Sequence, residues 1–258
     1  MEEAVKYIES CIIAFSMYSK IPMPQREWEA EAMKYAMCFF PWVGAAAGGI
    51  FYLWGIYGKQ IPVGPQLYAA ILTVIPILIT GGIHMDGFLD TMDALSSWQS
   101  RERRLEILKD AHAGAFAVTG AGVYFLLYFG FASELEPAQI SAAAFGFFLS
   151  RCLSGFAVTS FPCAKESGLA ALFARAADRR KARTILFLES ILAMTGLLWL
   201  NIYAGGAVIA ASILAFLWYY RMSVEKFGGI TGDLAGWFVQ VCELLQLAAI
   251  CFSSKVFG

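Results

Sequence analysis

No Asp, Glu, Lys or Arg stands between Lys34 and Lys59, and none between Lys59 and Asp86. This limits the fold more than any other feature of the chain. A helical crossing of the roughly 30 Å hydrocarbon core of a bilayer takes about 20 mostly apolar residues. In lipid the backbone must satisfy its own hydrogen bonds, which leaves helices or closed barrels. Similar stretches recur near 113–132, 137–161, 184–220 and 233–252, with charges only at Glu189, Arg151, Asp233 and Glu243. Of all residues, 59% are hydrophobic and 15% charged, against about 25% charged in soluble domains. So few polar residues could not coat a single soluble core of this size. The expected fold is all-α, a polytopic integral membrane helix bundle of about seven transmembrane helices, with residues 1–258 forming one membrane-embedded catalytic domain.

Residues 4–24 are too short for a full span and end in Pro22 and Pro24, which predicts an interfacial or re-entrant N-terminal helix. The start MEEAVKYIES lacks the basic start, apolar run and cleavage site of a signal peptide. Later spans are expected at about Tyr35–Gly58 and Pro65–Ile83, followed by a polar hairpin at 84–112. The stretch 184–220 reads as two short spans broken near Asn201–Gly206, followed by a loop at Arg221–Gly232. Gly44 and Gly48 frame a small-residue face that lets another helix approach closely. The net charge of −1 argues against a nucleic-acid partner. The six cysteines form no CxxC pair and read as small apolar fillers.

Lys and Arg gather in cytoplasmic loops. Here they concentrate in 84–112, 162–183 and 221–232, which seven spans put on one side together with the N-terminus. The chain is therefore expected in the cell (inner) membrane, with the acids near 86–93 and 233 on the cytoplasmic face.

Those acids are the chemistry. Asp86, Asp90 and Asp93 are spaced i, i+4, i+7 and fall on one stripe of a helix. Three like charges repel, and near a bilayer each also loses hydration; a divalent cation relieves both. Mg2+ suits hard carboxylate oxygens shared with substrate phosphates. The competing reading is a solvated helix face. His84, two residues earlier, is either a proton acceptor or an interfacial polar residue. Arg101, Arg104 and Lys109 are candidate phosphate contacts, set against the ordinary positive charge of an inner loop. Asp110 could return to the acidic stripe. A second cluster, GGITGDLAGWFVQVCELL, holds Asp233, Gln240 and Glu243 on one broad face, with Thr231 a substrate-binding candidate. Arg151 is either a buried counter-ion to these acids or a phosphate ligand.

Thr80–Asp93 resembles T-G-G-[LF]-H-x-D-G-x-x-D-T-x-D of the adenosylcobinamide-GDP ribazoletransferase family, also called cobalamin 5'-phosphate synthase. RERRLEILKDAHAG, GGITGDLAG, FSMYSKIPMP and KESGL resemble other segments of that family in the same order. Ala94 stands where the family usually has Gly, Lys20 where it has Arg, and Leu234-Ala235 where Thr-Leu is common. The resemblance implies a transferase of cobalamin biosynthesis. In its reaction alpha-ribazole or alpha-ribazole 5'-phosphate attacks adenosylcobinamide-GDP, GMP leaves, and adenosylcobalamin or its 5'-phosphate forms. It implies Mg2+ as cofactor. Asp86, Asp90 and Asp93 are its first-choice ligands; Asp110, Asp233 and Glu243 form the second group. The base comes from Asp86 or Asp90, or else from His84. A homo-oligomer is left open.

Two rival readings compete with this one. The CDP-alcohol phosphotransferase pattern fails where Leu89-Asp90 replaces its Ala-Arg. A transporter using the acids as an ion path would favour acids at mid-membrane and paired broken helices.

Overall fold

The computed structural model describes residues 2–25, 28–165 and 168–257. Among these residues the chain is helical with no strand; a single β-bridge joins Cys163 to Ile230. The N-terminal part holds α1 (Glu2–Tyr18), α2 (Ala30–Met33), α3 (Ala36–Tyr57) and α4 (Pro65–Thr80). Then come α5 (Ile83–Ser96), α6 (Arg101–Ile107), α7 (Ala115–Glu134) and α8 (Pro137–Ser160). The chain ends with α9 (Leu169–Ala176), α10 (Arg179–Leu200), α11 (Ile202–Phe227) and α12 (Gly232–Phe257). Six of the described helices are long and apolar enough to cross a membrane, and α4 with α5 makes a seventh if a bent pair counts as one span. This agrees with a polytopic membrane bundle. Large apolar side chains stay exposed on its outer faces, Leu126 by 74% and Leu192 by 70%, as lipid-facing residues should.

The small-residue face of α3 meets α8. A Cβ on Gly44 would overlap the Phe147 carbonyl, and one on Gly48 the Ala144 carbonyl. The two backbones are therefore in contact, and no larger residue fits at either glycine.

The α4–α5 bend is set by the backbone. Gly81 (φ 65) and Gly82 (φ 81) both lie in the left-handed region, which other residues adopt only with strain. The chain turns by 97° there, so α5 leaves the direction of the span. The segment after α1 braces the bend: the Lys20 N–H donates to the Ile79 carbonyl at 2.7 Å, and its aliphatic stem fills the space a Cβ on Gly81 would need.

The polar hairpin at 84–112 is built of α5 and α6 joined by a turn. Two expectations change. The stretch from 184 on is not two short spans: α10 has 22 residues and α11 has 26, divided at Asn201 alone. The Asn201 side chain caps α11 by accepting from the Tyr203 and Ala204 N–H groups at 3.0 and 2.9 Å. Finally, α11 runs past the apolar stretch to Phe227, leaving only 228–231 as loop. A helix leaving lipid needs no further apolar residues, and the Arg221–Glu225 pair at 2.7 Å supports its last turns.

Candidate active site where the helix ends converge

The bent-away helix α5 packs along the first turns of α12. The fit depends on Gly87, where a Cβ would lie 2.6 Å from the Asp233 carbonyl oxygen, and on Gly236, where one would lie 3.1 Å from the His84 carbonyl. Two glycines thus let backbone meet backbone, and the loop GGITG delivers Asp233 beside α5. Thr231 builds that delivery: its hydroxyl accepts from the Leu234 N–H at 3.2 Å, capping α12, and lies 3.3 Å from the Asp233 carboxylate. Asp90 lies within electrostatic reach of Asp86 and Asp233. Neither Asp86 nor Asp90 has a basic or hydrogen-bonding side-chain partner among the described residues.

The other predicted acids have separate places. Asp93 reaches α7, where its carboxylate accepts from the Gly114 N–H at 2.5 Å and the Ala117 N–H at 2.8 Å. Gly114 precedes α7 and has no side chain of its own to cap it, so Asp93 supplies the cap from α5. Both carboxylate oxygens thus accept from backbone donors, so Asp93 ties α5 to α7 while staying within electrostatic reach of Asp90. Asp110 is exposed and binds His112, through its N–H at 3.0 Å and its ring at 2.9 Å; these contacts hold its carboxyl below the usual range. Glu243 is drawn off by Arg151: the two are in direct contact, with side chains 2% and 0% exposed. Ten residues of helix, about 15 Å, separate Glu243 from Asp233. Glu243 is therefore no member of the group around Asp86, and Arg151 is its counter-ion.

The basic residues frame the open side. The Arg101 guanidinium lies over Gly228, and Arg104 donates to the Lys226 carbonyl at 3.4 Å. These contacts dock α6 on the end of α11. The sequence reading did not single out Lys165. Its ammonium donates to the Leu105 carbonyl at 2.6 Å and lies within electrostatic reach of Lys109 and Asp233. Partial burial and the Lys109 charge push its pKa down, with Asp233 opposing. The resemblance of KESGL to a family loop was the available signal; Glu166 and Ser167 of that loop lie outside the described residues.

Beside the acids opens a cavity of about 130 Å3, lined by Tyr18, Phe40, His84 and Val158 among others, with Asp86 and Asp233 on its wall. His84 is buried, and its Nε2 has no hydrogen-bond partner among the described residues. Tyr18 and Phe40, from α1 and α3, surround the imidazole at ring separations of 6.1 and 5.6 Å. Sequence reasoning had not joined these aromatics to the acidic stretch, because only the fold brings α1 and α3 to it.

The family model described as cobalamin-5-phosphate synthase matches residues 10–251. The chain belongs to the cobalamin-5-phosphate synthase family. The match takes in the bend, the acids of α5 and the head of α12, so the whole site falls inside the family region. Curated relatives bear the name adenosylcobinamide-GDP ribazoletransferase. One from Lachnoclostridium phytofermentans is 48% identical over 98% of this chain and 97% of its own length. Others are from Desulfitobacterium hafniense, 34% identical over 91% of this chain and 93% of its own, and Clostridium botulinum, 31% over 93% and 96%. No solved structure matches.

Proposed function

We propose that this membrane enzyme joins adenosylcobinamide-GDP to alpha-ribazole or its 5'-phosphate. The products are GMP and adenosylcobalamin or its 5'-phosphate. Membership of the family and the names of the relatives support the overall reaction; the residue roles rest on geometry. The observation that carries them is the meeting of Asp86 and Asp90 with Asp233 at the head of α12, three carboxylates within electrostatic reach of one another with no cation beside Asp86 or Asp90 among the described residues.

That donor set fits Mg2+. Among the described residues no three His, Cys, Asp or Glu side chains enclose a metal by themselves. Mg2+ asks for less, taking one or two carboxylates together with substrate phosphates and water. One or two of Asp86, Asp90 and Asp233 would hold it together with the substrate phosphates, and bound there it would neutralise charge developing on the phosphate oxygens. The N–H groups at the head of α12 add a positive dipole end suited to the same anion. Arg101, Arg104, Lys109 and Lys165 line the approach of a diphosphate.

In the reaction the nucleoside hydroxyl oxygen forms a bond to the phosphorus that bears cobinamide. The bond from that phosphorus to the bridging oxygen breaks, and GMP leaves with the electron pair. Asp90 or Asp86 takes the hydroxyl proton. We place the site at the cytoplasmic face of the inner membrane, a reading supported by the basic residues of α6 and the loop before α9. The transporter alternative gains nothing from the relatives, none of which carries such a name among those cited.

The test is GMP release from adenosylcobinamide-GDP by purified protein in detergent, with and without alpha-ribazole 5'-phosphate. Release should need the nucleoside and Mg2+, stop with EDTA, and fall by at least about 100-fold in Asp90→Asn. Undiminished release in EDTA would remove the metal from the proposal, and ion flux without GMP would replace the enzyme by a transporter.

A further inference from the structure

The cavity beside the acids is too small for either whole substrate. Pockets that take whole drug-sized molecules run to roughly 300–1,000 Å3, and this one holds about 130 Å3. It takes a fragment. Its walls say which one. Met37, Phe40 and Val158 give it an apolar interior, Tyr18 and His84 add rings, and the Asp86 and Asp233 carboxylates stand at one side. On the side formed by Met37, Phe40 and Val158, away from the head of α12, a phosphate or a sugar would be poorly served and a flat, apolar heterocycle well served. Among the side chains lining it, His84 carries a buried nitrogen, Nε2, with no hydrogen-bond partner among the described residues, and a buried polar atom left unmatched is costly. In the tautomer that places the proton on Nε2, the matching ligand atom is a ring-nitrogen acceptor.

We infer that this cavity is the pocket for the base of the acceptor nucleoside, a fused two-ring benzimidazole held between Tyr18, Phe40 and Val158, with its free ring nitrogen accepting from His84 Nε2–H. The inference rests on the function proposed above and assigns His84 a part in specificity. With the base seated there, the ribose end points toward Asp86 and Asp233, where its hydroxyl is activated. The corrinoid, too large for the cavity, stays outside.

The experiment is equilibrium dialysis of radiolabelled alpha-ribazole against the full-length protein in detergent, beside GMP-release kinetics. Val158→Phe fills the cavity from α8. It should raise the Kd for alpha-ribazole at least tenfold, leave KM for adenosylcobinamide-GDP unchanged, and penalise a single-ring imidazole nucleoside much less. Ser154→Leu, one turn earlier on the same wall, is the second variant, with melting temperature and elution profile checking the fold of both. An unchanged Kd in a folded variant overturns the inference.

On the unaltered protein, free 5,6-dimethylbenzimidazole should compete with the nucleoside and not with the GDP substrate; failure to compete also overturns it. A nucleoside with indole in place of benzimidazole lacks the acceptor and should bind about tenfold more weakly. That gap should close in His84→Phe; equal binding of the two nucleosides by the unaltered protein removes His84 from the pocket. Absence of GMP release with every nucleoside would instead count against the proposed reaction, while the dialysis and competition results still decide the cavity.

Discussion

The buried pair of Arg151 and Glu243 gives the sharpest stability prediction. The two side chains are 0% and 2% exposed, in the apolar middle of the bundle. Their contact runs through one nitrogen and one oxygen. Among the described residues Arg151 Nε and Nη2 and Glu243 Oε2 have no hydrogen-bond partner, while the Ser150 hydroxyl lies 3.0 Å from Arg151 Nη1 and 3.1 Å from Glu243 Oε1. Glu243→Gln keeps the shape and removes the charge, leaving the guanidinium buried and uncompensated. Breaking such a pair costs about 3–5 kcal/mol. At about 2–4 °C per kcal/mol for a protein of this size, the melting temperature should fall by about 6 to 20 °C. The double variant Arg151→Met with Glu243→Leu removes both charges and fills the space, and should melt near or above the parent. Thermal melts of the three proteins in one detergent measure this. Glu243→Gln within about 2 °C of the parent, or a double that falls as far as Glu243→Gln does, would refute the reasoning. GMP release adds a second check: the folded double should keep turnover, and its loss would make Arg151 a substrate contact after all.

Asp93→Ala should remove the acceptor for the Gly114 and Ala117 N–H groups at a cost of about 1–2 kcal/mol, read as a lower melting temperature, with Asp93→Asn in between. The Mg2+ concentration for half-maximal GMP release should not move; a tenfold rise would return Asp93 to the metal. Gly87→Ala puts a methyl 2.6 Å from the Asp233 carbonyl and must push α5 off α12. Turnover should fall much further than stability, and a variant as active as the parent would show that the α5–α12 spacing is not what aligns the carboxylates.

Uncharged runs carry so strong a signal that the membrane bundle was legible before any coordinates. The run from Lys34 to Lys59 became α3 with little change, because lipid forces the backbone into helix. The end of α11 was misplaced for the opposite reason: beyond Tyr220 the helix is polar, and its continuation depends on local pairs and not on lipid. In the site, the stripe of Asp86, Asp90 and Asp93 follows from helical spacing alone. That Asp93 serves α7 depends on where Gly114 arrives, which no spacing reveals. Asp233 and Glu243 read as one cluster along the sequence, yet about 15 Å of helix and a buried Arg151 divide them. Tyr18 lay inside the family-like FSMYSKIPMP with no sign of where that segment docks, and Phe40 gave no signal, because aromatic residues in apolar stretches look the same whether they face lipid, core or ligand.

The shortness of α4 has a consequence for the lipid. Its 16 residues rise about 24 Å, against a hydrocarbon core of about 30 Å, and the glycine bend then turns the chain sideways. Either the bilayer thins around this crossing or the acidic helix rides below the headgroups; in both cases acyl-chain length becomes a load on the Gly81–Gly82 elbow. Reconstituted in lipids of graded chain length, the protein should carry its carboxylates to different depths. The bilayer would then act as a gauge setting how far a water-soluble diphosphate must descend to meet them.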